Sequence, residues 1–352
     1  MSNHLTLHIL ASLPWNNLNR DDTGTPKRMR QGGSIRGLLS SQSIKRAARV
    51  DYENRSLDVS CRSVNVVDKV LERALEISPS LDEKSARKDA ENLVGSLSKG
   101  EKGKAGGKRV SGWLSSEELE TVANIVAEKS SETEFIHGHK TGSLAIAAFG
   151  RMFAAAPGNN TEAAIAVSPA VSTHPVAIET DYFTTVDDFP NETQGAGASH
   201  LGIASYTSGT FYRTVTIDRN QLKESWSGLT APDAAEKLGL LLDALIYKLP
   251  KGKKNSTAPY TMPLLVLAEE QKYRMAYDFE TPVKVGDEGG YTEASIKRII
   301  AQRKAALQFD PDAFAGVTAL AGTADPELLD EFNIPVSTKQ DLIDQVVQWI
   351  RQ

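Results

Sequence analysis

A single cysteine, Cys61, occurs in 352 residues, which excludes an internal disulfide and any cysteine-rich zinc site. No stretch approaches the ~18 consecutive apolar residues of a membrane helix, so no span is expected. The start of the chain lacks a basic segment followed by an apolar one, so no secretory signal is expected and the cytoplasm is the expected location. A phosphate loop ending in Gly-Lys-Ser/Thr, a nucleophile elbow and a His-Glu-x-x-His motif are all missing, as is any internal repeat. What remains is an ordinary globular composition, 40% apolar and 24% charged. At ~150 residues per domain the length fits two units, or one domain with large insertions.

A net charge of −5 argues mildly against a nucleic-acid binder, because phosphate contacts need positive charge, but its distribution is uneven. Eight bases (Arg20, Lys27, Arg28, Arg30, Arg36, Lys45, Arg46 and Arg49) stand against Asp21 and Asp22 between positions 20 and 49. From Asp310 onward eight acids face only Lys339 and Arg351. That acidic end reads either as a solvated helix surface or as a face for a basic partner surface.

Leu5, Leu7, Ile9, Ala11 and Leu13 alternate with Thr6, His8, Leu10 and Ser12, the period of a strand. A Gly- and charge-rich loop covers 16–34. Ser40 or Ser41 can cap a helix running to about Asn54. Helical patterns follow at 63–76, 81–97 and 115–129, the last opened by the capping-box pair Ser115 and Glu118. Between the last two lies Lys99–Arg109, read either as a surface loop or as a mobile basic arm. Strands are expected at 163–172 and 210–217, flanking a polar connection, 173–209, that is long for a compact domain and therefore functional or disordered. A helix at 233–249, a strand at 264–267 and helices at 292–307 and 339–351 complete an α+β pattern, with helices on one side of an antiparallel sheet.

Lys45 and Arg49 are four apart and share a helix face, while Ile44, Ala47 and Ala48 supply the buried side. The result is either a solvated charged face or a ridge of cations that holds successive phosphates without reading bases. Ser41, Gln42 and Ser43 add donors at the helix N-terminus, where free backbone N–H groups attract anions. Asp21-Asp22 and Asp187-Asp188 are adjacent acids that point to opposite faces in a strand, and His137-Gly-His139 has no third ligand nearby, so none suggests a metal site. Gly150-Arg-Met-Phe153 and Tyr182-Phe-Thr-Thr-Val186 are, by composition, core; apolar side chains beside a cation can also be wedges between bases.

Seven segments carry a resemblance: Leu18-Asn-Arg-Asp-Asp22, Ser40-Ser-Gln-Ser-Ile-Lys-Arg-Ala47, Gly150-Arg-Met152, Thr173-His174, Asp181-Tyr-Phe-Thr-Thr-Val-Asp-Asp188, Ser199-His-Leu-Gly202 and Ser208-Gly-Thr-Phe-Tyr-Arg213. In this order they closely resemble the Cas-seven family, the CasC-type backbone subunits of type I-E CRISPR Cascade complexes. The likeness runs from about Leu5 to Ile217 and is weak beyond.

The resemblance implies an RRM-like (ferredoxin-like) palm over 1–60, 142–172 and 210–352, a helical finger insertion over 61–141 and an extended thumb hairpin over 173–209. It implies a non-enzymatic subunit, without cofactor or metal, repeated along the spacer of a CRISPR RNA and presenting it to a target DNA strand in antiviral defence. The implied partners are further copies of itself and the large, small, Cas-five and Cas-six type subunits, with a helicase-nuclease recruited indirectly. Carried over by position, Arg20, Lys27, Ser40, Gln42, Lys45 and Arg49 hold RNA phosphate and sugar. Met152 wedges against a base, and Tyr182, Phe183, Thr184 and Val186 displace a nucleotide. One departure is the segment after Gly32-Gly33, where Arg36 stands alone in place of a denser basic run; another is Tyr182, where relatives can carry tryptophan. The alternative within this fold is a metal-dependent RNA-cleaving relative that uses Asp21 or Asp22.

Overall fold

Alternation at the start of the chain produces a strand, β1 (His4–Asn16), and Gly32-Gly33 then closes a hairpin between β2 (Arg28–Gln31) and β3 (Ser34–Leu39). Both glycines have positive φ, +54° and +74°, as a two-residue turn between strands requires. In chain order there follow α1 (Ser41–Ser56), β4 (Ser60–Ser63), α2 (Val66–Ile77), α3 (Glu83–Gly95), β5 (Glu101–Lys102), β6 (Lys108–Arg109), β7 (Gly112–Ser115), α4 (Ser116–Glu128) and α5 (Leu144–Phe149). Next come β8 (Ile165–Val167), β9 (Ala170–Ser172), β10 (Glu179–Val186), β11 (Ala198–Asp218), α6 (Arg219–Ser225) and α7 (Ala234–Tyr247). The chain ends with β12 (Leu265–Gln271), α8 (Thr292–Phe309), β13 (Thr318–Ala321), α9 (Pro326–Asp330) and α10 (Lys339–Arg351).

The computed structural model describes residues 3–97, 101–102, 108–109, 112–186, 198–314 and 316–352. Most of the Lys99–Arg109 segment, Asp187-Asp188 and the side chain of Val186 lie outside the described residues. The chain divides into two compact units: Met1–Ala48, Val167–Val215 and Leu245–Gln345, and Arg49–Ala166, Thr216–Ala244 and Val346–Gln352.

The first unit is built on a sheet of order β13-β12-β1-β11-β9-β3-β2. The pairs β1–β12, β12–β13, β9–β11, β3–β9 and β2–β3 are antiparallel. Ser295, Ile296, Ile299 and Ile300, spaced three or four apart, form the buried stripe of α8, and the isoleucines pack against Leu10, Leu265, Leu267 and Leu320. β1 departs from the expected half-buried strand. Thr6 and His8 are as buried as Leu5 and Leu7, because the face they share with Leu10 is covered: Leu10 packs in one cluster with the isoleucines of α8. Their polar atoms are matched inside: the Thr6 hydroxyl donates to Gln271 at 2.8 Å and His8 Nδ1 meets the Tyr212 hydroxyl at 2.8 Å.

In the second unit α2, α3 and α4 enclose a core of Val70, Leu71, Ala90, Val94, Val122 and Val126. The capping box at α4 forms as the sequence predicts, with Ser115 and Glu118 each accepting the other's backbone N–H. The expected strand over 163–172 is interrupted at Ser168-Pro169, where proline has no N–H to give a ladder. The long polar connection contains β10, which pairs with the first half of β11 as an antiparallel ribbon with Tyr182 opposite Ile203.

Candidate nucleic-acid interface

In the first unit a stapled loop precedes α1. The Asp21 carboxylate accepts from the backbone N–H and hydroxyl of Thr23 (3.0 and 2.7 Å) and from those of Thr25 (3.1 and 2.7 Å). The threonine hydroxyls, Thr23 first, hold its pKa down at about 2. Arg20, beside this staple, is exposed and bridges to Pro26, and Lys27 is half-buried, its N–H bonded to Asn19 O at 2.8 Å. Asn19 Oδ1 in turn accepts from Ser40 N at 2.8 Å and Ser43 Oγ at 3.2 Å, tying the loop to the start of α1. Sequence reasoning gave no role to Asn19. Its only signal was its place inside the first resembling segment.

At the start of α1, Ser40 is the cap, with its hydroxyl accepting from Ser43 N at 3.4 Å. Gln42 is exposed one step on. Ile44, Ala47 and Ala48 are buried as expected, and Lys45 is half-buried, its pKa lowered by that burial. Among the described residues no carboxylate pairs with Lys45. Arg36 must be removed from the exposed bases. It is fully buried, donating to the carbonyls of Ser172 (2.8 Å), Phe279 (2.9 Å) and Glu280 (3.1 Å), and so has no donor to offer a phosphate from outside.

The ribbon has a rigid root. His174 Nε2 accepts from Thr210 N at 3.1 Å, its Nδ1–H donates to Pro175 O at 2.8 Å, and its ring stacks on Tyr291. Thr173 is held by Ser295 Oγ at 2.8 Å. On the other strand Trp15 N donates to Ser208 Oγ at 2.8 Å, and the Trp15 ring stacks on Tyr206 at 4.8 Å. Beyond this root Tyr182 (63% exposed), Leu201 and Ile203 lie on one face, since directly opposite residues of a ladder share a face. Thr184, opposite Leu201, joins them. Phe183, exposed on the other face, lies over Gly202, where a Cβ would come within 2.2 Å of the ring. The composition-based reading of these aromatics as core is overturned: a two-stranded ribbon has no second layer to bury them.

In the second unit Arg49 is a paired cation. Its Nη1 donates to Glu53 at 2.7 Å, its guanidinium lies over the Trp113 ring, and Glu53 also accepts from Ser60 Oγ. Met152 is 79% exposed, although its neighbours Arg151 and Phe153 are buried. Arg151 forks onto the Glu118 carboxylate (2.6 Å from Nη2) and Phe153 joins the helical core, so Met152 is pushed outward. Here too the core reading fails for the methionine and holds for the phenylalanine. His137 and His139 sit in a loop, His139 Nδ1 meeting Asn160 O at 3.0 Å. Among the described residues no three His, Cys, Asp or Glu side chains converge as a metal site. Nor, among them, is any helix long and apolar enough to cross a membrane.

Anchored cations, a capped helix start and outward apolar side chains are what the geometry offers, and the family model of the CT1975-like proteins matches residues 5–349. The chain belongs to the CT1975-like protein family. Its fold is also that of a chain from a CRISPR RNA-guided surveillance complex in a pre-nicking state, with a TM-score of 0.82 and 26% identity over 99% of this chain and 100% of that one. A second CRISPR RNA-guided surveillance complex contains a chain of the same fold, with a TM-score of 0.74 and 22% identity over 98% of this chain and 99% of that one. No curated protein matches. The CT1975-like chain thus has the mixed α/β fold, antiparallel sheet and helices, of subunits in such complexes.

Proposed function

We propose that this chain is the RNA-binding backbone subunit of a type I-E Cascade complex, of CasC kind, and performs no catalysis of its own. In this reading an RRM-like palm (1–60, 142–172, 210–352) carries a finger (61–141) and a thumb (173–209). Several copies follow the guide spacer in the cytoplasm, joined by the large, small, Cas-five and Cas-six type subunits. The observation that carries the proposal is the full-length likeness to a chain of an RNA-guided surveillance complex.

The side chains support it. A backbone subunit must accept any spacer, so it should hold the phosphodiester chain and leave Watson–Crick edges free for a target strand. Arg20, Lys27 and Lys45 supply cations, Ser40 and Gln42 supply neutral donors, and Met152, Tyr182 and Phe183 supply apolar wedges that interrupt a stack at intervals. In this reading these groups hold the backbone and stack against bases without reading their edges. The test is binding of guides with unrelated spacers to the assembled complex. Equal affinities at one salt concentration are expected; a preference for one spacer sequence contradicts the role.

A further inference from the structure

Arg62 is a base that the functional reading above leaves unused. It stands on β4 directly opposite Trp113 on β7, and its guanidinium carbon lies 5.1 Å from the centre of that indole. Arg49 approaches the same ring at 5.5 Å. The two cations differ in how their charge is balanced. Arg49 is neutralised by Glu53 at 2.7 Å, whereas Arg62 is exposed and, among the described residues, has no carboxylate and no hydrogen-bond acceptor.

Trp113 itself cannot shift easily. It is buried, its Nε1–H donates to Ser60 Oγ at 2.6 Å, and its carbonyl accepts from Arg151 Nη1 at 3.2 Å. Arg151 is followed by the outward-facing Met152. A single fixed tryptophan therefore carries an unpaired planar cation over its ring, and its carbonyl holds the arginine that precedes the exposed Met152. Stacking leaves the edge of a guanidinium, with its N–H donors, free for a bidentate acceptor, and it limits the rotamers that binding must freeze. A preorganised planar cation with no carboxylate partner among the described residues matches the phosphodiester of a single strand.

We infer that Arg62 is a further phosphate-binding residue of this subunit, gripping the guide RNA's phosphodiester with a guanidinium held over Trp113. The inference rests on the RNA-binding reading above. A solvated arginine resting on an aromatic ring is the plain alternative, and the experiment separates the two.

Complexes assembled with a guide RNA would carry Arg62→Ala, Arg62→Lys or Lys45→Ala, and guide affinity would be measured across a salt series. Arg62→Ala should weaken guide binding roughly tenfold and flatten the log K against log salt slope by about 0.7 per altered contact. Arg62→Lys should restore the slope but only part of the affinity, because the charge returns without the planar fork. Melting of the RNA-free chain should be the same for all three. Unchanged affinity and slope with Arg62→Ala, while Lys45→Ala weakens binding, would overturn this inference and leave the RNA-binding reading standing. A loss that tracks a lowered melting temperature and is not relieved by lysine would assign Arg62 to packing and overturn it as well. No guide binding by the unaltered complex would instead remove the reading beneath it. A parallel series with target DNA on guide-loaded complexes identifies the phosphodiester: a slope change confined to that series would overturn the guide assignment and give the contact to the target strand.

Discussion

His174 and Tyr291 stack with ring centroids 3.4 Å apart and planes 6° from parallel, at the point where β9 leaves the sheet toward the ribbon. The stack fixes the imidazole so that Nε2 can take the Thr210 N–H and Nδ1–H can reach Pro175 O. Replacing His174 by alanine removes both the stack and the acceptor of a buried N–H. A loss of about 2 kcal/mol is expected, within the ~1–3 kcal/mol for an unsatisfied buried group, and thermal melting would report it. Amide exchange at Thr210 should accelerate more than exchange along α8.

The same histidine predicts a pH dependence. Burial, first of all, lowers its pKa below the ordinary 6.5, so the folded chain favours the neutral ring. A depressed folded pKa means its stabilisation is complete above 6.5 and is lost as pH falls below that value toward the folded pKa. Loss of protection at Thr210, measured against the intrinsic exchange rate, on acidification below pH 6.5 should therefore vanish in His174→Gln, which keeps an amide acceptor but does not titrate. Equal loss of protection in both proteins would exclude His174 as the cause.

Lys45 and Arg49 lie on one turn-to-turn line of α1, yet they should not contribute equally to RNA binding. Glu53 already balances Arg49, while Lys45 has no carboxylate partner among the described residues. Lys45→Ala should weaken binding of every spacer alike and reduce the salt slope by about 0.7, the single-strand value per phosphate. Arg49→Ala should change the slope less. A larger slope change for Arg49, or a loss that depends on spacer sequence, would contradict this assignment.

Asp21 offers a test in which charge and structure predict opposite signs. By charge alone, Asp21→Asn next to Arg20 should tighten RNA binding. Because its carboxylate accepts four hydrogen bonds that shape the loop holding Arg20 and Lys27, weaker binding is expected, by about 1 kcal/mol, the scale of one lost hydrogen bond. Tighter binding in the variant would show that the staple does not position the cations.

Much of the fold was legible because period and punctuation agreed: the helix expected at 292–307, the capping box at Ser115 and the strand at the start of the chain all reappear. Burial on both faces of β1 was not, since Thr6 and His8 look like solvent-side residues until Gln271 and Tyr212 are brought beside them from far along the chain. The same holds for the interface. Lys45 could be placed on a helix face from spacing alone, but whether a cation is free depends on partners no window contains. Arg36 meets carbonyls 136 to 244 positions away, and Arg62 meets Trp113 only through the β4–β7 ladder. Met152 and Phe153 show the limit plainly: neighbours of similar hydrophobicity, one outward and one in the core.

That contrast gives a paired prediction. Met152→Ala should cost less than about 0.5 kcal/mol of stability, as for an exposed site, while Phe153→Ala should cost about 3–5 kcal/mol. Chemical probing of the guide in the complex should show reduced distortion with Met152→Ala. An unaltered probing pattern would exclude Met152 as a wedge.

The most direct measurement is native mass analysis of what co-purifies when the chain is expressed with its neighbouring genes and a CRISPR array. One particle holding several copies of this chain and a single guide RNA of uniform length is the predicted result. A lone chain without RNA, with those partners present, would contradict it.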